Sequence, residues 1–373
     1  MDTSNNSGMS SSQRMMSVDA LRGFDMCCIV GGGKVIRELL KYVGAPAGLQ
    51  ALIYHADWEG FTFWDLIFPL FLFIIGVVLP YSLKKRLAQG AIKRDLYIHI
   101  FKRTAMLCLW GVIIGGLLEF KGLDQIHYVG VLQRLAMGYL FASLILMNTT
   151  VRGQAIFAGT ILVVYWALMT FIPVPGFGAG DFSKYGNLAG RIDLAILPGR
   201  ITFDYGDPEG ILSTIPAIST ALLGVLAGQW LMRNDRTQNR KVLGLLVAGI
   251  VCLAAGYLWS LQFPVIKKIW TSSYVLVAGG WSLLFLALFY WVVDVLQYRK
   301  WAFFFVVIGA NPILIYILTY IVDLNEIAGY FINGFLNLPF IGGFRPVLFA
   351  FGVLMLEWLL LYFLYKKKIY IKL

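Results

Sequence analysis

The stretch YHADWEGFTFWDLIFPLFLFIIG, Tyr54 to Gly76, sets a histidine and three carboxylates at the mouth of an apolar run. His55, Asp57, Glu59 and Asp65 are residue types that general acid–base or nucleophilic catalysis uses, because imidazole ordinarily changes charge near neutral pH. The run they introduce, from about Leu66 to Leu83, is close to the roughly 20 residues that cross a bilayer. Titratable groups entering such a span are costly unless they face a cavity, a partner or a substrate. Chemistry is expected here first.

Other polar sites border or enter apolar segments. Asp19, Arg22 and Asp25 recur at i, i+3 and i+6, on or near one helical face, as an ion pair or as the polar wall of a substrate cavity. Gln133 and Arg134 follow His127 about one turn into a helix, where an arginine needs an anion, a protein group or a ligand. Asp204, Asp207 and Glu209 stand where a long loop enters a helix; DPEG there also reads as a simple helix start with Pro208 in the first turn. Asn311-Pro312 interrupts a late span, freeing carbonyls that line a cavity or only kink the helix. GGGK, Gly31 to Lys34, lacks the flanks of a phosphate loop and reads as a helix stop. His99, among basic residues, reads as a solvated loop residue. Cys27, Cys28, Cys108 and Cys252 lie in apolar stretches and read as small buried hydrophobes, and no Cys/His spacing suggests a metal.

The elements that must position these groups are membrane helices. Hydrophobic residues make up 59% and charged residues 14% of the 373-residue chain, where a soluble domain carries roughly 25% charge. Apolar segments of span length without alternation exclude a β-barrel. The reading is all-α: a polytopic bundle of about ten spans, at about 17–30, 66–83, 101–119, 129–147, 155–172, 210–231, 242–260, 273–294, 303–322 and 346–365. Residues 1–13 are expected to be a disordered tail without signal-peptide character, and 14–373 one membrane domain. Residues 35–54 are expected outside the membrane, 173–209 as an elaborate and functional outer loop, and 323–344 as a re-entrant or interfacial piece.

The net charge of +11 is explained by topology rather than by nucleic acid. With the amino terminus cytoplasmic, eighteen Lys and Arg fall in the inside loops and nine outside. Both termini are therefore expected in the cytoplasm, with His55 on the far side of the lipid bilayer. From the residues alone, a transporter with a proton-coupling histidine competes closely with a membrane enzyme. Inverted repeats would favour the transporter, and the hydropathy segments show none.

Five motifs in fixed order shift that balance: SVDALRGFDM from Ser17, HADWEGFTFWDLIFPLFLFIIG from His55, GVLQRLAMGYL from Gly130, DPEGILSTIPAISTALLGVLAG from Asp207 and GANPILIY from Gly309. From about Arg14 to the carboxyl terminus the chain resembles the heparan-α-glucosaminide N-acetyltransferase family and its bacterial relatives. The resemblance implies transfer of acetyl from cytoplasmic acetyl-CoA, as co-substrate, to the amino group of a glucosamine-type sugar or oligosaccharide across a bacterial inner membrane, with no metal. It places the catalytic histidine of the H-A-x-W-x-G motif at His55. Of the nearby carboxylates, Asp65 is expected first to hold its tautomer, with Asp57 and Glu59 as alternatives or as groups that bind the incoming cationic sugar. Asp19, Arg22, Asp25, Gln133, Arg134, Glu209 and Asn311 are the accompanying substrate-binding candidates. It implies that the chain corresponds to the lysosomal member without its amino-terminal luminal domain and first span, and it is compatible with a homodimer. An asparagine that the family often carries before a GGG-like turn falls at Ile29 or Val30 here, and neither side chain can replace it.

Overall fold

Thr62 starts the helix on which the rest is hung. Its hydroxyl accepts from the Asp65 amide at 3.3 Å while the Asp65 carboxylate accepts from the Thr62 amide at 3.1 Å, so two orphan donors of the first turn are satisfied reciprocally. The computed structural model describes residues 15–120, 122–338 and 341–371; the tail expected at 1–13 lies outside them. The helix that Thr62 opens, α4, is preceded by α1 (Met16–Cys27), α2 (Gly33–Tyr42) and α3 (Ala47–Ala51), and itself runs Phe63–Ala88. The chain continues through α5 (Lys93–Ile114), α6 (Val131–Asn148), α7 (Val151–Phe171), the short α8 (Leu188–Ile196), α9 (Ile211–Leu231), α10 (Gln238–Trp259) and α11 (Ser272–Phe289). It ends with α12 (Ala302–Ala310), α13 (Pro312–Ile321), α14 (Leu324–Leu336) and α15 (Arg345–Lys366).

Eight helices among the described residues are long and apolar enough to cross a membrane, and a ninth span arises if α12 and α13 count as one. The protein is a polytopic helical bundle. α12 and α13 bend by 69° at Asn311-Pro312, because proline removes a helical amide and clashes with the preceding turn. The remaining expected span, the first helix, is not among these eight: α1 has 12 residues and includes Asp19, Arg22 and Asp25.

Burial separates an inner from an outer ring. The apolar windows of α4 and α9 are each 72% buried, against 22% for α5 and α10, whose remaining apolar surface fits lipid. α4 and α9 touch backbone to backbone: a Cβ on Gly76 would strike the Ala221 carbonyl, and one on Gly224 the Phe73 carbonyl. Small residues permit this approach, which replaces the hydrophobic drive that lipid does not supply.

Two local expectations are corrected. GGGK does not end the first helix: Cys28–Gly32 forms a π-turn that passes directly into α2. Three glycines lower helix propensity, but packing of this turn against α15 holds it, with Gly31 against Leu354 and Glu357. Helix therefore continues through residues 35–42, and the connection from there to α4 is irregular apart from α3. His99 is not a loop residue; it lies on α5, its Nε2 3.0 Å from Arg86 Nη2.

Candidate active site

His55 is delivered by the turn between α3 and α4. Its Nδ1 lies 2.8 Å from Asp65 Oδ1, and its side chain is 50% exposed against 1% for Asp65. The second oxygen, Oδ2, accepts from the Ala56 amide at 3.2 Å and from the Thr62 hydroxyl at 3.0 Å, in addition to the capping amide. From below, the Tyr274 hydroxyl donates to the Asp65 main-chain carbonyl at 2.8 Å. One carboxylate thus caps a span and holds an imidazole. Nδ1 is engaged, so Nε2 is the nitrogen left to face solvent or a substrate.

A lysine that sequence reading counted only as an outer-loop charge completes this group. Lys267 Nζ stands 3.1 Å from His55 Nδ1 and 3.6 Å from Asp65 Oδ1. The turn bearing it is closed by Trp270 N–H to the Lys267 carbonyl at 3.0 Å, and Trp270 adopts a left-handed φ of 52°. A large side chain pays for that conformation, and such outliers concentrate at functional sites. Burial pushes the Lys267 ammonium down to about 8, with Asp65 and Glu209 pulling the other way. No local spacing marked Lys267, which lies more than 200 residues from His55 in the chain.

The loop 173–209 roofs this end of the bundle. Asp57 pairs with Lys184 at 2.9 Å, and hydrogen bonding to that lysine holds its carboxyl below the usual range. The Trp58 indole donates to the Phe182 carbonyl at 2.9 Å. Lys268 donates to the Asp57 carbonyl at 2.9 Å and to the Tyr205 hydroxyl at 3.1 Å. Between Trp58, Tyr205, Asp207, Lys268 and Ile269 is a small recess. Glu59 is exposed.

A second histidine–aspartate pair lies at the same end. His127 Nε2 is 2.7 Å from Asp207 Oδ2, and Thr202 donates to that oxygen from its amide at 3.0 Å and its hydroxyl at 2.7 Å. Burial pushes Asp207 up, but the bonds from His127 and Thr202 prevail and hold it below the ordinary carboxylate value. Asp193 on α8 accepts from the Ile211 amide at 2.9 Å, and burial lifts its carboxyl to about 6. Pro208 and Glu209 precede α9, which begins at Ile211. Burial raises the Glu209 carboxyl, while the nearby Arg134 charge opposes the shift. Arg134, 1% exposed, donates to Ser213, and its guanidinium lies 4.7 Å from the Trp270 ring centroid. Gln133 donates to the Tyr128 carbonyl at 3.1 Å.

The structure therefore brings His55, Asp57, Asp65, Glu209 and Arg134 to one end, with Glu59 exposed in the same segment as His55 and Gln133 beside Arg134, and holds Asp19, Arg22, Asp25 and Asn311 in other contacts. Asp19 and Arg22 form an ion pair of 2.7 Å, with Arg22 Nε donating to the Gly309 carbonyl at 2.8 Å. Asp25 is fully buried on α1. Both ends of the Asn311 amide bind main chain, the Ile369 carbonyl at 3.0 Å and the Ile371 amide at 2.9 Å. A small apolar cleft lies between Met26, Phe68, Leu135, Ile313 and Tyr316. Among the described residues no group of three or more His, Cys, Asp or Glu is placed to hold a metal ion.

Residues 14–117 match a family model described as a domain of unknown function (DUF5009). The chain is 30% identical over 358 residues to the human heparan-alpha-glucosaminide N-acetyltransferase, covering 82% of this chain and 52% of that protein. It is 28% identical over 362 residues to the mouse protein of the same name, covering 83% and 53%. The chain thus spans about half the length of the curated relatives it matches. Over that part, this polytopic helical chain is similar in sequence to the heparan-alpha-glucosaminide N-acetyltransferases.

Proposed function

We propose that the protein is a transmembrane N-acetyltransferase that moves acetyl from cytoplasmic acetyl-CoA to the amino group of a glucosamine-type sugar outside a bacterial inner membrane. One observation supports this above the others: a half-exposed His55 whose Nδ1 rests on buried Asp65 at the mouth of a span. That arrangement fixes the ring and leaves Nε2 toward an acceptor, the geometry a positioned base or nucleophile needs.

In direct transfer, Nε2 takes a proton from the sugar amine as its nitrogen attacks the thioester carbonyl. The carbon–sulfur bond then breaks, and the departing CoA sulfur regains a proton. In the covalent route Nε2 attacks the thioester carbon, the carbon–sulfur bond breaks and the CoA thiolate takes up a proton; the sugar amine then attacks the acetyl carbon, the bond from Nε2 breaks, and the amine gives up a proton to solvent. Asp65 serves both routes by holding the ring and stabilising the positive charge that develops on it. Phe68, which lines the apolar cleft, is one turn along α4 from Asp65. Acetyl-CoA would approach past this apolar lining from the basic inner face, where Lys and Arg meet its phosphates. Asp57 and Glu59, both exposed, would meet a cationic amine outside.

Purified protein given acetyl-CoA and a panel of amino sugars, read by mass spectrometry, tests the reading. N-acetylated sugar with stoichiometric CoA release is expected. Acetylated protein without acceptor identifies the covalent route. Acceptor transport across vesicles with no CoA release would replace the enzyme with a transporter.

A further inference from the structure

We propose that Lys267 is a positioning residue for the reaction: its ammonium, fixed between His55 and Asp65, balances the aspartate so that the imidazole stays uncharged and available as a base. The inference rests on the acyl-transfer reading and adds to it a residue that neither the motif nor the spacing marks.

The geometry carries it. Lys267 Nζ is 3.1 Å from His55 Nδ1 and 3.6 Å from Asp65 Oδ1, so one cation faces the same nitrogen that the carboxylate holds. A lone carboxylate beside an imidazole favours the doubly protonated ring; an ammonium beside the same nitrogen opposes a second positive charge there. Lys267 is 19% exposed, so solvent screens this contact less than a surface pair. The turn leaves it little freedom. Trp270 closes back on the Lys267 carbonyl and is itself pinned by its indole on Thr220 at 3.2 Å.

The charged groups facing Lys267 come from every neighbouring element. Asp65 on α4 and Glu209 before α9 attract its charge, and Arg134 on α6 opposes it. Lys268 is its chain neighbour and is turned away onto the Asp57 carbonyl and the Tyr205 hydroxyl. Tyr274 of α11 is occupied by the Asp65 carbonyl. No other lysine or arginine among the described residues stands within ion-pair distance of Asp65. The ammonium is present below about pH 8 and fades above it, so its influence belongs to neutral and acidic conditions, where a base is most easily lost to protonation.

The test is the pH dependence of acetyl transfer by the full chain in lipid vesicles, for wild type and for Lys267→Met, Lys267→Gln and Lys267→Arg. Removing the charge should move the acidic limb of the profile to higher pH by about one unit in both the Met and Gln variants. Rate at the alkaline plateau should be largely kept, and the Arg variant should follow wild type. The inference is overturned if the limb stays put in both neutral variants, if only Met moves it, or if Arg moves it as far as Met. Thermal melting and acetyl-CoA binding of each variant show that it is folded. The underlying reading fails separately, through wild type that releases no CoA or His55→Ala that transfers normally.

Discussion

His55 on Asp65 and His127 on Asp207 are built from the same parts and exposed differently. Each histidine meets a nearly fully buried carboxylate, at 2.8 and 2.7 Å. Each carboxylate also accepts from the amide and hydroxyl of a single threonine, Thr62 or Thr202. The His55 side chain is 50% exposed and the His127 side chain 19%. His55 ends an irregular turn and has a cation beside it, whereas His127 is bridged through its backbone to Gly199, which ties two outer segments together. Under the proposed function, the same pair of groups is a reactive device where the ring reaches solvent, and a latch where it is enclosed.

The largest effect that separates the pairs is expected from Asp65→Asn. Loss of the carboxylate should lower acetyl transfer by about 10²-fold or more, while acetyl-CoA binding stays. An Asp65→Asn protein with wild-type turnover would reduce that aspartate to a helix cap. The enclosed pair should answer in stability. His127→Ala takes a charge-assisted partner from buried Asp207 and should destabilise by about 1–3 kcal/mol, measured as a lower melting midpoint in detergent.

A smaller, pH-dependent effect belongs to the latch. Asp193 holds its proton more tightly folded, with its carboxyl raised to about 6, than unfolded at about 4. Its charged form therefore costs stability as pH rises through that window. Asp193→Asn keeps an acceptor for the Ile211 amide and should gain on wild type between pH 4 and pH 7, by roughly 1–2 kcal/mol. A pH-independent gap would show that Asp193 is not buried as described. The smallest effect is at Asp57, whose ion pair with Lys184 is open to solvent and screened. Asp57→Asn should leave the midpoint unchanged and alter only the acceptor KM.

Much of this was legible in the sequence. Hydropathy and length fix the helical spans, because backbone groups in lipid must be satisfied internally. His55 and Asp65 stand out because both fall at the start of one apolar run. Asn311-Pro312 likewise announces its bend. What pattern could not supply was long-range pairing. Lys267 reaches His55, and Asp207 reaches His127, through the fold rather than through any helical period, and both partners read locally as loop charges. The three glycines after Val30 misled for a related reason: their intrinsic preference was overridden by packing against α15.

The most direct measurement places His55→Ala and His127→Ala side by side in vesicles, with labelled acetyl-CoA supplied inside and glucosamine outside. His55→Ala is expected to lose transfer by about 10²–10⁴-fold while still binding acetyl-CoA, and His127→Ala, kept below its melting midpoint, to transfer. Transfer by His55→Ala at a rate near wild type would contradict this expectation.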